Sequence, residues 1–163
     1  ASTCGSATLL FLRVTKTLPD SAARLCASEL RIALVMSDPV SCPFCSLPPE
    51  RVILQDDLAI VIRDGFPISL GHTLIIPKRH VGSFFEIGDD ERISLLRILD
   101  VTKASLDTEY RPDGYNVGIN DGPAAGQTVP HLHIHLIPRY QGDSLDPRGG
   151  VRWIFPHKGR YWP

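Results

Sequence analysis

The sequence predicts an α+β domain: an antiparallel sheet of about five strands with one long helix and a shorter helix. Three observations lead there. Short β-branched runs are separated by turn residues. A stretch from Asp89 to about Tyr110 carries helical spacing. The strands group around that one helix, which suits an α+β arrangement.

The elements follow in chain order. A short helix opening after Asp20 is expected from Leu25, Ser28/Glu29 and Ile32. It belongs to an N-terminal extension, residues 1–38, in which no chemistry is visible; Met36, the sole methionine, is a candidate natural start. Val52-Ile53-Leu54-Gln55 and Leu58-Ala59-Ile60-Val61-Ile62 flank Asp56-Asp57 and read as a hairpin. After the Gly65-Phe66-Pro67 turn, Thr73 to Pro77 is a third strand. Asp89 or Asp90 can cap the long helix, whose apolar stripe is Leu95, Ile98, Leu99, Thr102 and Leu106. Gly114 to Asn120 is a strand, Asp121 to Gln127 a glycine-rich loop, and Val129 to Pro138 the final strand.

At 163 residues the chain suits one domain with a single core. A formal net charge of -1 gives no reason to expect a nucleic-acid partner, so any phosphate must be held by a local site. No apolar run is long enough to span a membrane, and the stretch Ala7 to Leu12 lacks the basic flank of a secretory signal. With no disulfide framework indicated for Cys4, Cys26, Cys42 and Cys45, a reducing, cytoplasmic setting is expected.

Chemistry concentrates in His131-Leu132-His133-Ile134-His135. On a strand the three histidines share one face, about 7 Å apart, while Leu132, Ile134 and Leu136 enter the core. A metal site or a solvated polar face is the plain alternative. Gly122-Pro123-Ala124-Ala125-Gly126-Gln127-Thr128 immediately precedes them. Backbone N–H groups in such a loop can converge on phosphate oxygens, with Gln127 and Thr128 as added donors.

His131-Leu132-His133-Ile134-His135-Leu136-Ile137 resembles the histidine-triad (HIT) superfamily pattern, in which three histidines alternate with apolar residues. The resemblance extends through Asn120-Asp121-Gly122, Gly71 to His80 and Cys42-Pro43-Phe44-Cys45, and marks residues 39–142 as a nucleotide-binding domain. It implies the HIT fold, a homodimer, and His133 as a nucleophile that takes the nucleotidyl group as a covalent intermediate. Imidazole suits that role because it is both nucleophile and leaving group near neutral pH. By the same resemblance His135 assists proton transfer, and its presence favours hydrolases over nucleotidyl transferases; His131 completes the triad and His72 orients it. Were the metal absent, His72 would bond His131. Asp64, eight residues before His72, is implied as the ribose contact. Asn120 and Gln127 are implied at the scissile phosphate, and Ile62, Phe44 and Leu47 at the base.

Cys42 and Cys45 alone support a metal, redox chemistry or neither. The resemblance adds His80 and His131, giving a Cys₂His₂ set suited to structural zinc. Magnesium is a further candidate for neutralising a polyphosphate leaving group, although no dedicated site is visible. In residues 143–163 arginines alternate with aromatics, as in Arg148, Arg152 and Trp153. They could contact the distal part of a dinucleoside polyphosphate, or pack on a dimer partner or sheet edge.

The reaction implied is hydrolysis at the α-phosphate of a nucleoside-phosphate conjugate, releasing the monophosphate. Diadenosine tetraphosphate is the first choice of substrate and a nucleoside phosphoramidate the second. A phosphorylase and a nucleotide-binding adaptor with little turnover are the alternatives.

Overall fold

A computed structural model describes residues 42–162. The extension, its expected helix after Asp20, Cys4 and Cys26 lie outside the described residues.

Five strands form one antiparallel sheet: β1 (Val52–Gln55), β2 (Ala59–Arg63), β3 (Thr73–Pro77), β4 (Gly114–Gly118) and β5 (Ile134–Arg139). Their spatial order is β1-β2-β3-β5-β4, so the histidine strand lies in the interior of the sheet. The hairpin forms where Asp56 Oδ1 accepts from the backbone N–H groups of Leu58 and Ala59, an aspartate turn that leaves Leu58 in the loop rather than in β2.

The long helix α1 (Asp89–Tyr110) covers one face. Its N-cap is Gly88, not Asp89 or Asp90: Glu91 reaches back to accept from the Gly88 N–H, while both aspartates sit in the first turn, where the helix dipole favours them. Leu95, Ile98, Thr102 and Leu106 are buried as the spacing predicts, with Leu99 half-buried beside them. They meet Val61, Ile75, Leu132, Ile134 and Leu136 from the sheet. Burying each such aliphatic side chain stabilises the fold by about 1.5–3 kcal/mol before entropy is counted. On the opposite face Ile60, Ile62, Leu74 and Ile76 form a second cluster, roofed by Phe44 and Leu47 from the segment that carries the two cysteines.

The last strand is shorter than the pattern suggests. Pro130 offers no N–H, and the N–H of Leu132 is captured by the carbonyl of Val81 at 2.7 Å, so regular pairing begins only at Ile134. β4 likewise ends at Gly118 rather than Asn120. The shorter helix among the described residues is α2 (Pro156–Gly159), in the tail. That tail packs on itself. Trp153 lies against Gly159, Arg148 stacks over Trp162 at 4.4 Å, and Arg152 stacks over Tyr161 at 4.9 Å.

Candidate active site and metal centre

The triad side chains lie on the face opposite α1, while Leu132, Ile134 and Leu136 enter the core on the α1 side. The rings of His133 and His135 lie 5.0 Å apart, closer than strand spacing alone gives, because His133 precedes the regular strand. His133 Nδ1 is 2.8 Å from the carbonyl oxygen of His131. A carbonyl can only accept, so the proton sits on Nδ1 and the lone pair of His133 is on Nε2.

His135 is held by His72. The backbone N–H of Ile68 donates to His72 Nδ1 at 3.4 Å, which leaves Nε2–H of His72 to donate to His135 Nδ1 at 3.1 Å. His135 therefore presents an N–H at Nε2. Burial, with His133 and His72 alongside, pushes His135 down to about 4, against a smaller upward pull from Asp64. Burial also lowers His72, again opposed by Asp64. Asp64 Oδ2 lies 3.4 Å from His72 Nδ1 and 4.0 Å from His135 Nδ1, and Asp64 Oδ1 accepts from the Phe66 N–H. The expected alternative partner for His72 was His131; the structure gives it His135, because His131 is engaged elsewhere.

His131 faces the two cysteines. Its Nδ1 lies 3.4 Å from Cys42 Sγ and 3.5 Å from Cys45 Sγ, and Cys45 Sγ lies 3.2 Å from His80 Nδ1. The four ligand atoms are all within 4.8 Å of one another. Tetrahedral zinc, with bonds of about 2.3 Å to sulfur and 2.0–2.1 Å to nitrogen, requires sulfur–nitrogen edges near about 3.5 Å. The donor chemistry agrees. His131 Nε2 donates to the Pro77 carbonyl at 2.9 Å, leaving the Nδ1 lone pair toward the sulfurs. Burial and the adjacent Cys42 push the Cys45 thiol up, a penalty on the thiolate that a cation would remove. The residues fit zinc. The only other metal-competent group among the described residues, Asp64, His72 and His135, is not the oxygen set that magnesium takes.

The remaining candidates have distinct places. Gln127 is bonded on both sides of its amide: Oε1 accepts from the Gly122 N–H at 2.8 Å, and Nε2 donates to the Gly82 carbonyl at 2.7 Å. Thr128 is exposed and Asn120 half-buried. Ile62 is 1% exposed and belongs to the floor beneath Phe44 and Leu47. Phe44 also sets its ring edgewise against His131 and His133, at 5.8 and 5.2 Å. Two of the tail arginines are engaged: Arg148 pairs with Asp146 through two nitrogens, and Arg152 bonds the Lys158 carbonyl.

Several contributors escape sequence reasoning. The carbonyl of Pro77 and the N–H of Ile68 are backbone atoms, which no side-chain pattern reveals. Asp121, whose carboxylate accepts from Ser83 Oγ and the Phe84 N–H, braces the loop. The Asn-Asp-Gly run could have signalled it.

Comparison with known proteins gives a consistent result. The HIT domain family matches residues 46–142. An uncharacterized HIT-like protein of Methanocaldococcus jannaschii is 39% identical over 107 residues, covering 63% of this chain and 82% of that protein. The adenylylsulfatase HINT3 of Arabidopsis thaliana is 33% identical over 108 residues, covering 64% of this chain and 55% of that protein. Among solved structures, a Zn-bound histidine triad family protein from Mycobacterium smegmatis superposes with a TM-score of 0.61 at 33% identity, covering 67% of this chain and 82% of that one.

Proposed function

The chain belongs to the HIT domain family, and from that premise we propose that it is a nucleotide hydrolase in which His133 Nε2 attacks the α-phosphorus of a nucleoside-phosphate conjugate. The observation that carries this reading is the 2.8 Å bond from His133 Nδ1–H to the His131 carbonyl. It fixes the neutral tautomer and the orientation of the lone pair, as an imidazole nucleophile requires.

The chemistry balances as two displacements. Binding a phosphate anion beside His135 and His72 raises their proton affinity, so the pair takes up one proton opposite Asp64. His133 Nε2 then forms a bond to phosphorus while the bond to the leaving group breaks, and the leaving atom takes that proton from His135. In the second step His135 accepts a proton from water, the hydroxide attacks phosphorus, and His133 departs as neutral imidazole. The products are the nucleoside monophosphate and the protonated leaving group. Asp64 is assigned to the ribose hydroxyls as well as to His72. Phe44, Leu47 and Ile62 are assigned to the wall of the base site, and Asn120, Thr128 and loop amides to the phosphate.

Cys42, Cys45, His80 and His131 would hold zinc, which closes a tetrahedral set and supplies folding energy rather than a reactive water. A homodimer is assigned through the outward side of α1, where Ile93, Leu96 and Val101 are half exposed, and the edge strand β4. No helix among the described residues is long and apolar enough to cross a membrane.

The test is a rapid quench with conjugates labelled at the α-phosphate, including diadenosine tetraphosphate, an adenosine phosphoramidate and an adenylyl sulfate. Acid-labile label on the chain, absent in His133→Ala, is expected together with released monophosphate. Nucleotide binding with neither label nor turnover would overturn the reading, and a nucleoside diphosphate formed only with added phosphate would make the enzyme a phosphorylase.

A further inference from the structure

Cys42 and Cys45 are held in one turn. The Cys42 carbonyl accepts from the Cys45 N–H at 3.1 Å and from the Ser46 N–H at 3.2 Å. A turn of this kind keeps the α-carbons of its end residues within about 7 Å, and a disulfide spans about 4.4–6.8 Å. Both sulfurs are reduced and lie within 4.8 Å of one another. Rotation of the two side chains is therefore enough to join them.

The pair is asymmetric. Cys42 is 3% exposed, whereas Cys45 is open to solvent. An oxidant in solution meets Cys45 first, with the buried sulfur of Cys42 directly behind it. That is the arrangement of an attacking thiol beside its resolving partner.

Two contacts carry the state of this turn to the ring of His133. Phe44 lies between the cysteines in sequence, and its ring rests edgewise on that of His133 with centroids 5.2 Å apart. His131 Nδ1 faces both sulfurs at 3.4 and 3.5 Å, and the carbonyl of the same residue accepts from His133 Nδ1. Phe44 and Leu47 also roof the cluster of Ile60, Ile62, Leu74 and Ile76, so a change in the turn is felt there as well.

We propose that Cys42 and Cys45 are a peroxide-sensitive dithiol, and that joining them disarms His133. The proposal rests on His133 as the nucleophile. Cys45 Sγ attacks one oxygen of hydrogen peroxide; the O–O bond breaks, the other oxygen leaves as water, and the sulfur becomes a sulfenic acid. Cys42 Sγ then attacks that sulfur, the S–O bond breaks, and a second water leaves with the thiol proton. Two thiols and one peroxide thus give one disulfide and two waters, the sulfurs losing two electrons and the peroxide gaining them. With the metal set filled, the sulfurs start as thiolates and the two protons come from solvent. A disulfide offers no thiolate, so the four-donor set loses two of its ligands. The His131 ring is then released on the sulfur side while Phe44 shifts with its turn, and both movements turn His133 off line.

The experiment treats the full chain, carrying Cys4→Ser and Cys26→Ser, with hydrogen peroxide. Expected are a mass loss of two hydrogens, a Cys42–Cys45 bond in the peptide map, and acid-labile label on His133 falling at least about tenfold, as a displaced nucleophile requires. Dithiothreitol in zinc-containing buffer restores the label. In Cys42→Ser the reaction stops at a sulfenic acid that dimedone traps on Cys45, whereas Cys45→Ser gives neither adduct nor bond. Higher acids of Cys45 in place of the bond, or no oxidation at all, overturn the dithiol. A Cys42–Cys45 bond with label undiminished overturns the disarming and leaves the nucleophile standing. No label in the reduced chain overturns the nucleophile and the disarming together.

Discussion

The carbonyl of His131 accepts the Nδ1 proton of His133 at 2.8 Å, while the ring of the same His131 lies between the cysteine sulfurs and the Pro77 carbonyl. One residue therefore faces the candidate metal ligands with its side chain and fixes the tautomer of His133, the proposed nucleophile, with its backbone. Whatever displaces the His131 ring moves the acceptor that aims His133.

Zinc removal should consequently lower stability and turnover together. At free zinc a thousandfold above its dissociation constant, linkage contributes about 4 kcal/mol to folding. Metal analysis should find one zinc per chain, and calorimetry should show Tm falling on chelation and in Cys42→Ser. An unchanged Tm in a chain that binds no zinc would refute the assignment.

Acid should destabilise the protein through His135. Its folded value of about 4 lies below the roughly 6.5 of an unfolded chain. Between those values the unfolded state binds more protons. The group's full stability is therefore present above about pH 6.5 and is lost toward pH 4, at about 1.4 kcal/mol per unit. His72, also lowered by burial, steepens the slope. Urea melts at pH 7 and pH 4.5 should show His135→Gln losing about 2 kcal/mol less than the unaltered protein. Parallel losses would count against the buried neutral pair.

Gln127 closes the glycine-rich loop onto Gly122 and ties it to Gly82, so Gln127→Ala removes two bonds worth about 1 kcal/mol each. Loss of loop order should appear mainly as a higher KM for the phosphate ligand, about tenfold, with label still forming on His133. A kcat loss at unchanged KM would instead place Gln127 against the transition state.

Gly71 stands at φ +84, and a Cβ there would lie 3.0 Å from Tyr110, 3.2 Å from Pro138 and 3.3 Å from Leu106. Gly71→Ala should cost about 1–2 kcal/mol in backbone strain, with overpacking added. Because His72 follows directly, turnover should fall with stability. A fully stable Gly71→Ala chain would show that the turn can shift.

Leu96→Glu places a charge on the outward side of α1, where the side chain is 53% exposed. Sedimentation should show dimers becoming monomers with the helical signal intact. A chain that is monomeric before the change would remove that face as an interface.

Much of this was legible because it is local. The alternation of Val52 to Ile62, the stripe from Leu95 to Leu106 and the spacing of Cys42 and Cys45 each declare themselves within a few residues. The early end of regular pairing was hidden because a carbonyl from Val81, far away in sequence, takes the N–H of Leu132. The residue type of Gln127 shows in the sequence that it can donate to a phosphate; that it also braces the loop depends on where Gly82 arrives. The pairing of Arg139 with Asp143 is local, but the bond from Tyr140 Oη to the Leu70 carbonyl joins segments 70 positions apart.

Cys42 and His131 are 89 positions apart, and His131 stands at the entrance of the strand that fills the sheet interior. As the chain leaves the ribosome, three donors emerge early and the fourth waits for β5. Capture of that last donor closes a very long loop, an entropic cost that strand insertion, and with it the proposed metal coordination, would meet at one moment. A nascent or truncated chain that stops short of His131 lacks both the fourth candidate ligand and His133, the proposed nucleophile. On the proposed mechanism such a chain has no group to take up a nucleotidyl residue.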